Sequence, residues 1–373
     1  MTTDKITLRW YQQQIVDGIY KYWKNGLKRL LVFSCTRSGK TYLFSYMAKR
    51  ANEKGNKVLI LTNRKKLFKQ TGNAIADFDI KPYFINADNK AVRYDSMTYL
   101  AMSQTLERRL NKPEIIKLIE SIPVVVVDEC HISLFDKILN HPIFKDKYII
   151  GVTGSPIRSG SMPELIETYQ QIVIGPYTIE LEPEFCVPAR VFEVPFDMTG
   201  ISKDNKGEFN QYETFQKFDS AKIYQGALNN WRKYADGLTT IVYCVSILHA
   251  AKTCVEFNKA GIECKFISSG KTKPKLSDNP NKGDITKYRI ATEEYDFIQE
   301  NKHLTGDPEE IIQQWERGDF LMLINVDMLT FGYDNKKIRC VLFNRATNSI
   351  PMFLQAANRG GTPDEGKEEF ILQ

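Results

Sequence analysis

Residues 30–41 read Leu30-Leu31-Val32-Phe33-Ser34-Cys35-Thr36-Arg37-Ser38-Gly39-Lys40-Thr41, and their pattern decides the fold. An apolar run predicts a buried strand, a small-residue stretch a tight loop, and Gly-Lys-Thr the opening of a helix. That is the layout of a phosphate-binding loop. Backbone N–H groups of such a loop and the following helix N-terminus turn positive dipole toward an anion. Lys40 is placed to reach β- and γ-phosphates, and the Thr41 hydroxyl to ligate Mg²⁺. The full pattern asks for Gly six positions before the Lys, where Ser34 stands. The alternative is an ordinary strand–turn–helix connection with a surface lysine, so the decision rests on what lies downstream.

A chain of 373 residues can form two domains with full cores. It is 42% hydrophobic and 26% charged, a soluble globular composition rather than a disordered one. No run of about 18 apolar residues is present, so no membrane span is expected. The start, Met1-Thr2-Thr3-Asp4-Lys5, has no apolar core of a signal peptide. Seven cysteines without a C-x-x-C pair point to a reduced, cytoplasmic chain. Residues 1–70 hold sixteen Lys/Arg against three Asp/Glu, while the whole chain is only +6. A basic amino-terminal region is an electrostatic footprint for a polyanion, nucleotide or nucleic acid, or else a solvated lysine-rich face.

Helical spacing of Ile15, Ile19 and Tyr22 predicts a helix over 8–23. Alternation then continues: a helix over 41–51, a strand over 58–61, a helix over 63–76 and a helix to 120. Strands follow over 122–127 and 148–153. Residues 157–185 read as turns that close a first domain (1–183), and 195–220 as a polar surface connection. A second alternation fills the rest of 184–373: strands over 240–245, 264–268, 320–325, 340–344 and 369–372, with helices over 248–260, 309–317 and 351–358. Strands alternating with helices predict an α/β fold of parallel sheets, with ligands at the strands' carboxyl ends. Residues 270–306 exceed an ordinary connection. Lys271 and Lys273 open its basic first half, which reads either as a solvated insertion or as an arm touching nucleic acid.

The run over 122–127 ends in Asp128-Glu129-Cys130-His131. Nucleotide hydrolysis needs one carboxylate toward Mg²⁺ and another group on the attacking water, and adjacent strand-end residues can supply both. The sequence Asp-Glu-Cys-His resembles the D-E-x-H box of superfamily 2 helicases, and other signatures of that family follow in order. Arg9-Trp10-Tyr11-Gln12 resembles its Q motif, which implies that Gln12 reads adenine and Arg9 flanks it. Cys35 to Thr41 resembles motif I, so that Thr36, Arg37, Ser38, Gly39, Lys40 and Thr41 would cradle phosphates. Thr62-Asn63-Arg64, with Lys65, and Ser103-Gln104-Thr105 resemble the strand-contacting motifs. Thr153-Gly154-Ser155 stands for motif III, whose coupling role would fall to Thr153 and Ser155 with His131. Val242-Tyr243-Cys244 resembles motif IV. The stretch from Leu329 to Asp334 resembles motif V, with Thr330 toward nucleic acid and Asp334 toward the nucleotide site. The stretch from Gln355 to Thr362 resembles motif VI.

The resemblance, closest to an XPB/RadD-like, phage or bacterial branch, implies two tandem RecA-like domains with ATP in the cleft between them. Lys40, Asp128, Glu129, Gln355 and the arginine finger Arg359 would be catalytic. Thr41 and Asp128 would hold Mg²⁺, Asp128 through water. DNA, or RNA as the other option, would be gripped mainly through phosphates by a monomeric chain. The implied activity is ATP-driven unwinding or remodelling. Departures at Arg37, Phe331, Asn358 and Thr362 leave open an ATP-gated clamp with weakened hydrolysis. Trp10, Tyr11 and Trp23 are expected in the core or beside adenine.

Overall fold

The computed structural model describes residues 7–373 apart from 64, 90, 133, 159–163, 194–196, 205–206, 269–272, 274, 276–284 and 331–332. The chain forms two compact units, Met1–Phe185 and Cys186–Gln373. Among the described residues no helix is long and apolar enough to cross a membrane.

The first unit begins with α1 (Trp10–Lys24), β1 (Arg29–Phe33), α2 (Lys40–Glu53), β2 (Val58–Thr62) and α3 (Lys65–Ala76). It continues through β3 (Tyr83–Ile85), β4 (Thr98–Met102), α4 (Ser103–Arg109), α5 (Pro113–Glu120), β5 (Val124–Asp128) and α6 (Leu134–Leu139). It ends with β6 (Tyr148–Thr153), β7 (Gln171–Ile174) and the short α7 (Thr178–Leu181). Its seven strands lie in the order β3-β4-β2-β5-β6-β1-β7, and every pairing is parallel.

Period-two alternation divides the core into two layers. Leu30, Val32, Ile60, Val126 and Val152 face Ile15, Ile19, Phe44 and Met47 of α1 and α2. Leu31, Leu59, Leu61, Val125 and Val127 face Leu106, Leu118 and Phe135 of α4, α5 and α6. Covered on both faces, β2, β4 and β5 are buried at every residue, as their unbroken apolar sequence requires.

The second unit starts with β8 (Ala189–Val191), α8 (Gln211–Phe218), α9 (Ala221–Ala235), β9 (Thr240–Cys244) and α10 (Ile247–Lys259). It goes on through β10 (Cys264–Ile267), α11 (Ile285–Glu300), α12 (Pro308–Arg317) and β11 (Met322–Asn325). It closes with β12 (Cys340–Asn344), α13 (Ile350–Ala357) and β13 (Phe370–Leu372). The strand order is β10-β11-β9-β12-β13-β8, again parallel throughout. Val242, Cys244 and Ile324 pack on Leu228, Trp231 and Phe257 of α9 and α10. Ile241, Tyr243 and Leu323 pack on Ile311, Trp315 and Ala356 of α12 and α13.

The structure corrects several readings of the sequence. Within the turn-rich 157–185 lies β7, and within the polar 195–220 lies α8. β7, like β3 and β8, is a short sheet-edge strand, where burial on two faces no longer writes an apolar run. The helix α9 is also absent from that reading, although Tyr224, Leu228, Trp231 and Ala235 are buried at helical spacing. The stretch before α4 is a fully buried strand, β4. Much of the long insertion is a helix, α11. Lys273 lies 3.7 Å from its Asp296 and 6.0 Å from the Tyr295 ring. Lys271 falls outside the described residues, as does Arg64. Trp10 is 52% exposed, whereas Tyr11 is buried.

Candidate nucleotide site

Sheet order assembles the site. β5, β6 and β1 are neighbours, with Phe33 paired to Thr153 and Asp128 to Val152. Strand spacing of about 4.8 Å therefore brings three distant stretches to one sheet edge: the loop after β1, the Asp-Glu pair ending β5 and the Thr-Gly-Ser turn ending β6.

The loop from Ser34 to Gly39 is drawn tight by its own side chains. Ser34 Oγ donates to Ser38 Oγ at 2.6 Å, and Ser38 Oγ to the Cys35 carbonyl at 2.7 Å. Ser34 thus closes by hydroxyl bonding a turn for which the common pattern uses glycine. Gly39 stands at φ +73° ahead of α2, and Arg37 also has φ +73°, a left-handed backbone that costs a non-glycine about 1–2 kcal/mol. Lys40 Nζ lies 3.4 Å and 3.3 Å from the Ser34 and Cys35 carbonyls. A Cβ on Gly154 would stand 3.1 Å from Lys40 Nζ, so the turn after β6 lies against the loop lysine. Thr41 occupies the first turn of α2, half-buried.

Gln12 and Arg9 both make contacts within the first unit. Gln12 is 2% exposed. Its Nε2 donates to the Ser38 carbonyl at 3.1 Å, and its Oε1 accepts from Arg9 N at 3.0 Å. The amide fastens α1 to the phosphate loop. Arg9 Nη1 donates to the Tyr11 hydroxyl at 2.9 Å, and its guanidinium covers the Phe185 ring at 4.2 Å.

Asp128 is buried and Glu129 half-buried, and the two carboxylates repel each other. Burial first, and then the charge of Glu129, push Asp128 up to about 7. Burial works against Glu129 as well, but Lys40 and then His131 overcome it and hold that carboxylate at about 2. Glu129 stands at φ +52°. Its Oε2 lies 3.3 Å from His131 Nδ1, and His131 Nδ1 is 2.9 Å from Thr153 Oγ1. Thr153 Oγ1 donates to the Ser155 carbonyl at 2.8 Å and accepts from Ser155 N at 3.0 Å. The three coupling candidates therefore form one chain of contacts ending on Glu129.

Thr36 Oγ1 and Glu129 Oε2 are buried without a hydrogen-bond partner. Unpartnered polar atoms beside a lysine and two carboxylates fit a phosphate with a divalent cation. Among the described residues no group of three or more His, Cys, Asp or Glu could hold a metal.

Two strands away, β2 and β4 pair Thr62 with Met102. Ser103 Oγ accordingly donates to Asn63 Oδ1 at 3.0 Å. Gln104 is exposed and Thr105 half-buried beside them. Lys65 opens α3.

In the second unit β11, β9 and β12 are neighbours, and their carboxyl ends carry the remaining candidates. Arg359 Nε donates to the Thr330 carbonyl at 3.2 Å, Nη2 to the same oxygen at 2.7 Å, and Nη1 to the Tyr333 carbonyl. Thr362 Oγ1 donates to Asp334 Oδ1, so the residue in place of an arginine ties the two stretches together. A Cβ on Gly360 would stand 2.1 Å from the Phe370 ring, which explains a glycine there. Gln355 is 3% exposed, and neither of its amide atoms has a partner. Thr330 Oγ1 is likewise buried and unpartnered.

Arg158 was not singled out from the sequence. Its side chain is 2% exposed and forks onto Asp136 of α6 at 2.8 Å through both terminal nitrogens. The only sequence signal was its place five residues past Thr153.

A Gly-Lys-Thr loop, a strand-end Asp-Glu pair and a Thr-Gly-Ser turn on neighbouring strands make up a RecA-like α/β domain, and a second parallel-sheet unit follows it. The family described as "Type III restriction enzyme, res subunit" matches residues 5–158. A mitochondrial ATP-dependent helicase named irc3 from Schizosaccharomyces pombe is 20% identical over 394 residues, covering 98% of this chain and 57% of its own length. The chain thus spans little more than half of that relative. A fragment of a type I restriction enzyme HsdR subunit from Vibrio vulnificus YJ016 superposes with a TM-score of 0.64 at 19% identity, over 98% of this chain and 63% of that one. The ATP-dependent restriction-modification enzyme LlaBIII bound to DNA gives a TM-score of 0.63 at 14% identity, over 98% and 27%. The chain is thus similar, along nearly its whole length, to an ATP-dependent helicase and in fold to restriction-enzyme subunits.

Proposed function

We propose that this chain is an ATP-driven motor on nucleic acid, with DNA as its track, which unwinds or remodels duplex or branched DNA. The observation that carries the proposal is the single sheet edge on which Lys40, Asp128, Glu129, His131 and Thr153 meet. The names of the relatives, an ATP-dependent helicase and a restriction enzyme bound to DNA, support the same reading.

In this scheme Lys40 and the loop amides would hold the β- and γ-phosphates, and Thr41 and Asp128 would hold Mg²⁺. Bound with the nucleotide, that ion supplies charge neutralisation at the phosphate oxygens. Glu129 would orient the attacking water and take its proton. Arg359 neutralises charge developing on the transferred phosphoryl group. The nucleic-acid strand is gripped through its phosphates by the β2 and β4 strand ends, Asn63, Ser103, Gln104 and Thr105, and by Thr330. Such backbone contacts make binding salt-dependent.

The test is ATP hydrolysis with and without single-stranded DNA, beside Glu129→Gln. Stimulation by DNA, reduced about 10³-fold or more in the variant while DNA binding persists, is expected. Tight DNA binding with no turnover in the unaltered protein would overturn the motor reading.

A further inference from the structure

We propose that Arg158 is a positioning residue for hydrolysis, holding the backbone that carries Glu129 and His131; this rests on the ATPase reading above. The turn after β5 is irregular. Glu129 is left-handed at φ +52°, a conformation an L-residue keeps only when its surroundings impose it. Backbone bonds tie the turn from within the sheet, Cys130 N to the Val152 carbonyl at 3.1 Å and Ile132 N to the Glu129 carbonyl at 3.1 Å. Arg158 ties it from the other side. Its Nε donates to the His131 carbonyl at 3.0 Å, and its Nη2 reaches the Cys130 carbonyl at 3.4 Å.

The guanidinium is itself fixed. Its two terminal nitrogens meet Asp136 Oδ2 and Oδ1 at 2.8 Å each, and Thr168 Oγ1 stands 3.3 Å from Oδ1. Bidentate pairing of this kind sets orientation as well as energy. With its side chain 2% exposed, the group is out of competition with water.

Arg158 and Thr153 belong to one short segment, and both ends of it grip His131. Thr153 holds the imidazole at Nδ1, and Arg158 holds the carbonyl of the same residue. His131 in turn stands 3.3 Å from Glu129 Oε2. The segment after β6 thereby fixes where the Glu129 carboxylate points, and any displacement of that segment reaches the carboxylate directly. A lysine at 158 keeps a positive charge for Asp136 but cannot make the fork and the carbonyl contacts together.

The experiment compares the unaltered protein with Arg158→Lys and Asp136→Asn. It measures DNA-stimulated kcat, the Kd of a fluorescent ATP analogue, the melting temperature and amide hydrogen exchange over residues 129–132. Arg158→Lys is expected to lower kcat by about 10- to 100-fold, the scale of a misplaced reacting group. The analogue Kd should change by less than about twofold, and exchange over 129–132 should quicken by about tenfold. In a Glu129→Gln background Arg158→Lys should cost no further rate, because residues acting as a unit are not additive. Asp136→Asn should lower the melting temperature and affect kcat less than Arg158→Lys does. Unchanged kcat and exchange in a folded Arg158→Lys protein would overturn the inference. So would parallel losses of kcat, analogue binding and melting temperature, which would mark a purely structural pin. An unaltered protein that hydrolyses no ATP would instead overturn the reading of the site itself.

Discussion

The two units are built on the same plan, and they treat their polar groups differently. In the first, the carboxyl ends of β5, β6 and β1 carry side chains already locked together: Glu129 with His131, His131 with Thr153, Thr153 with Ser155. In the second, the ends of β11 and β12 lead to Arg359 clasping the Thr330 and Tyr333 carbonyls, while the Gln355 amide and the Thr330 hydroxyl are buried with no partner. A buried, unpartnered amide costs about 1–3 kcal/mol. The first unit also leaves buried groups unpartnered, Thr36 Oγ1 and Glu129 Oε2, but beside a set of side chains that already touch one another. The second stores unmet hydrogen-bonding capacity around its arginine, as expected of groups whose partner arrives with a ligand.

The hardest test of that contrast is the arginine. If Arg359 acts on the phosphoryl group, Arg359→Ala lowers kcat by about 10³-fold or more. The affinity for a nucleotide analogue, set by the first unit's phosphate loop, stays within a few-fold. Stopped-turnover assays with an analogue titration separate the two. If turnover survives the substitution, Arg359 is only a clasp on the Thr330 and Tyr333 carbonyls, and it has no catalytic share.

The second test uses acid, because only the second unit buries a neutral histidine. His249 lies among the rings of Phe215, Phe218 and Tyr224 and accepts from Val245 N at 3.3 Å. Burial pulls it down to about 4, with Asp219 opposing and Lys252 assisting. A histidine lowered in the folded state stays neutral while the unfolded chain takes up a proton near 6.5. Its stabilising effect is thus complete above about pH 6.5 and is lost progressively toward pH 4, up to about 3 kcal/mol. Urea unfolding at pH 7.5 and pH 5, followed by hydrogen exchange in each unit, should show the second unit weakening. His249→Gln should flatten that slope. An unchanged slope in the variant would assign the acid sensitivity elsewhere.

Legibility in the sequence follows the same division. Most strands in the middle of each sheet announced themselves, because burial on both faces demands runs such as Val124-Val125-Val126-Val127; β4 did not, since Thr98-Tyr99-Leu100-Ala101-Met102 mixes polar, aromatic and small residues. The edge strands β3, β7 and β8 did not, since half their environment is solvent or loop. Lys40, Asp128 and Glu129 were legible because phosphate chemistry fixes residue type and spacing together. Arg158 was not, for its partners Asp136, Cys130 and His131 are far along the chain and meet it only through the β5–β6 pairing. Gln12 was legible as a special residue but not in its contacts. A sequence shows an amide, and only the fold shows it spent on the Ser38 carbonyl.

The smallest expected effect is the sharpest discriminator between the units. Gln355 sits in α13 with both amide atoms buried and unpartnered. Leucine has nearly the same shape and no polar atoms to desolvate. Gln355→Leu should therefore stabilise the second unit by about 1 kcal/mol, while DNA-stimulated turnover falls about tenfold because the waiting amide is gone. Urea unfolding and a turnover assay on the same preparation measure both. Gain in stability with loss of rate is the signature of a group kept for a ligand at the expense of the resting fold. If stability falls instead, the amide is satisfied within the free protein, and the contrast between a locked first unit and a waiting second one disappears.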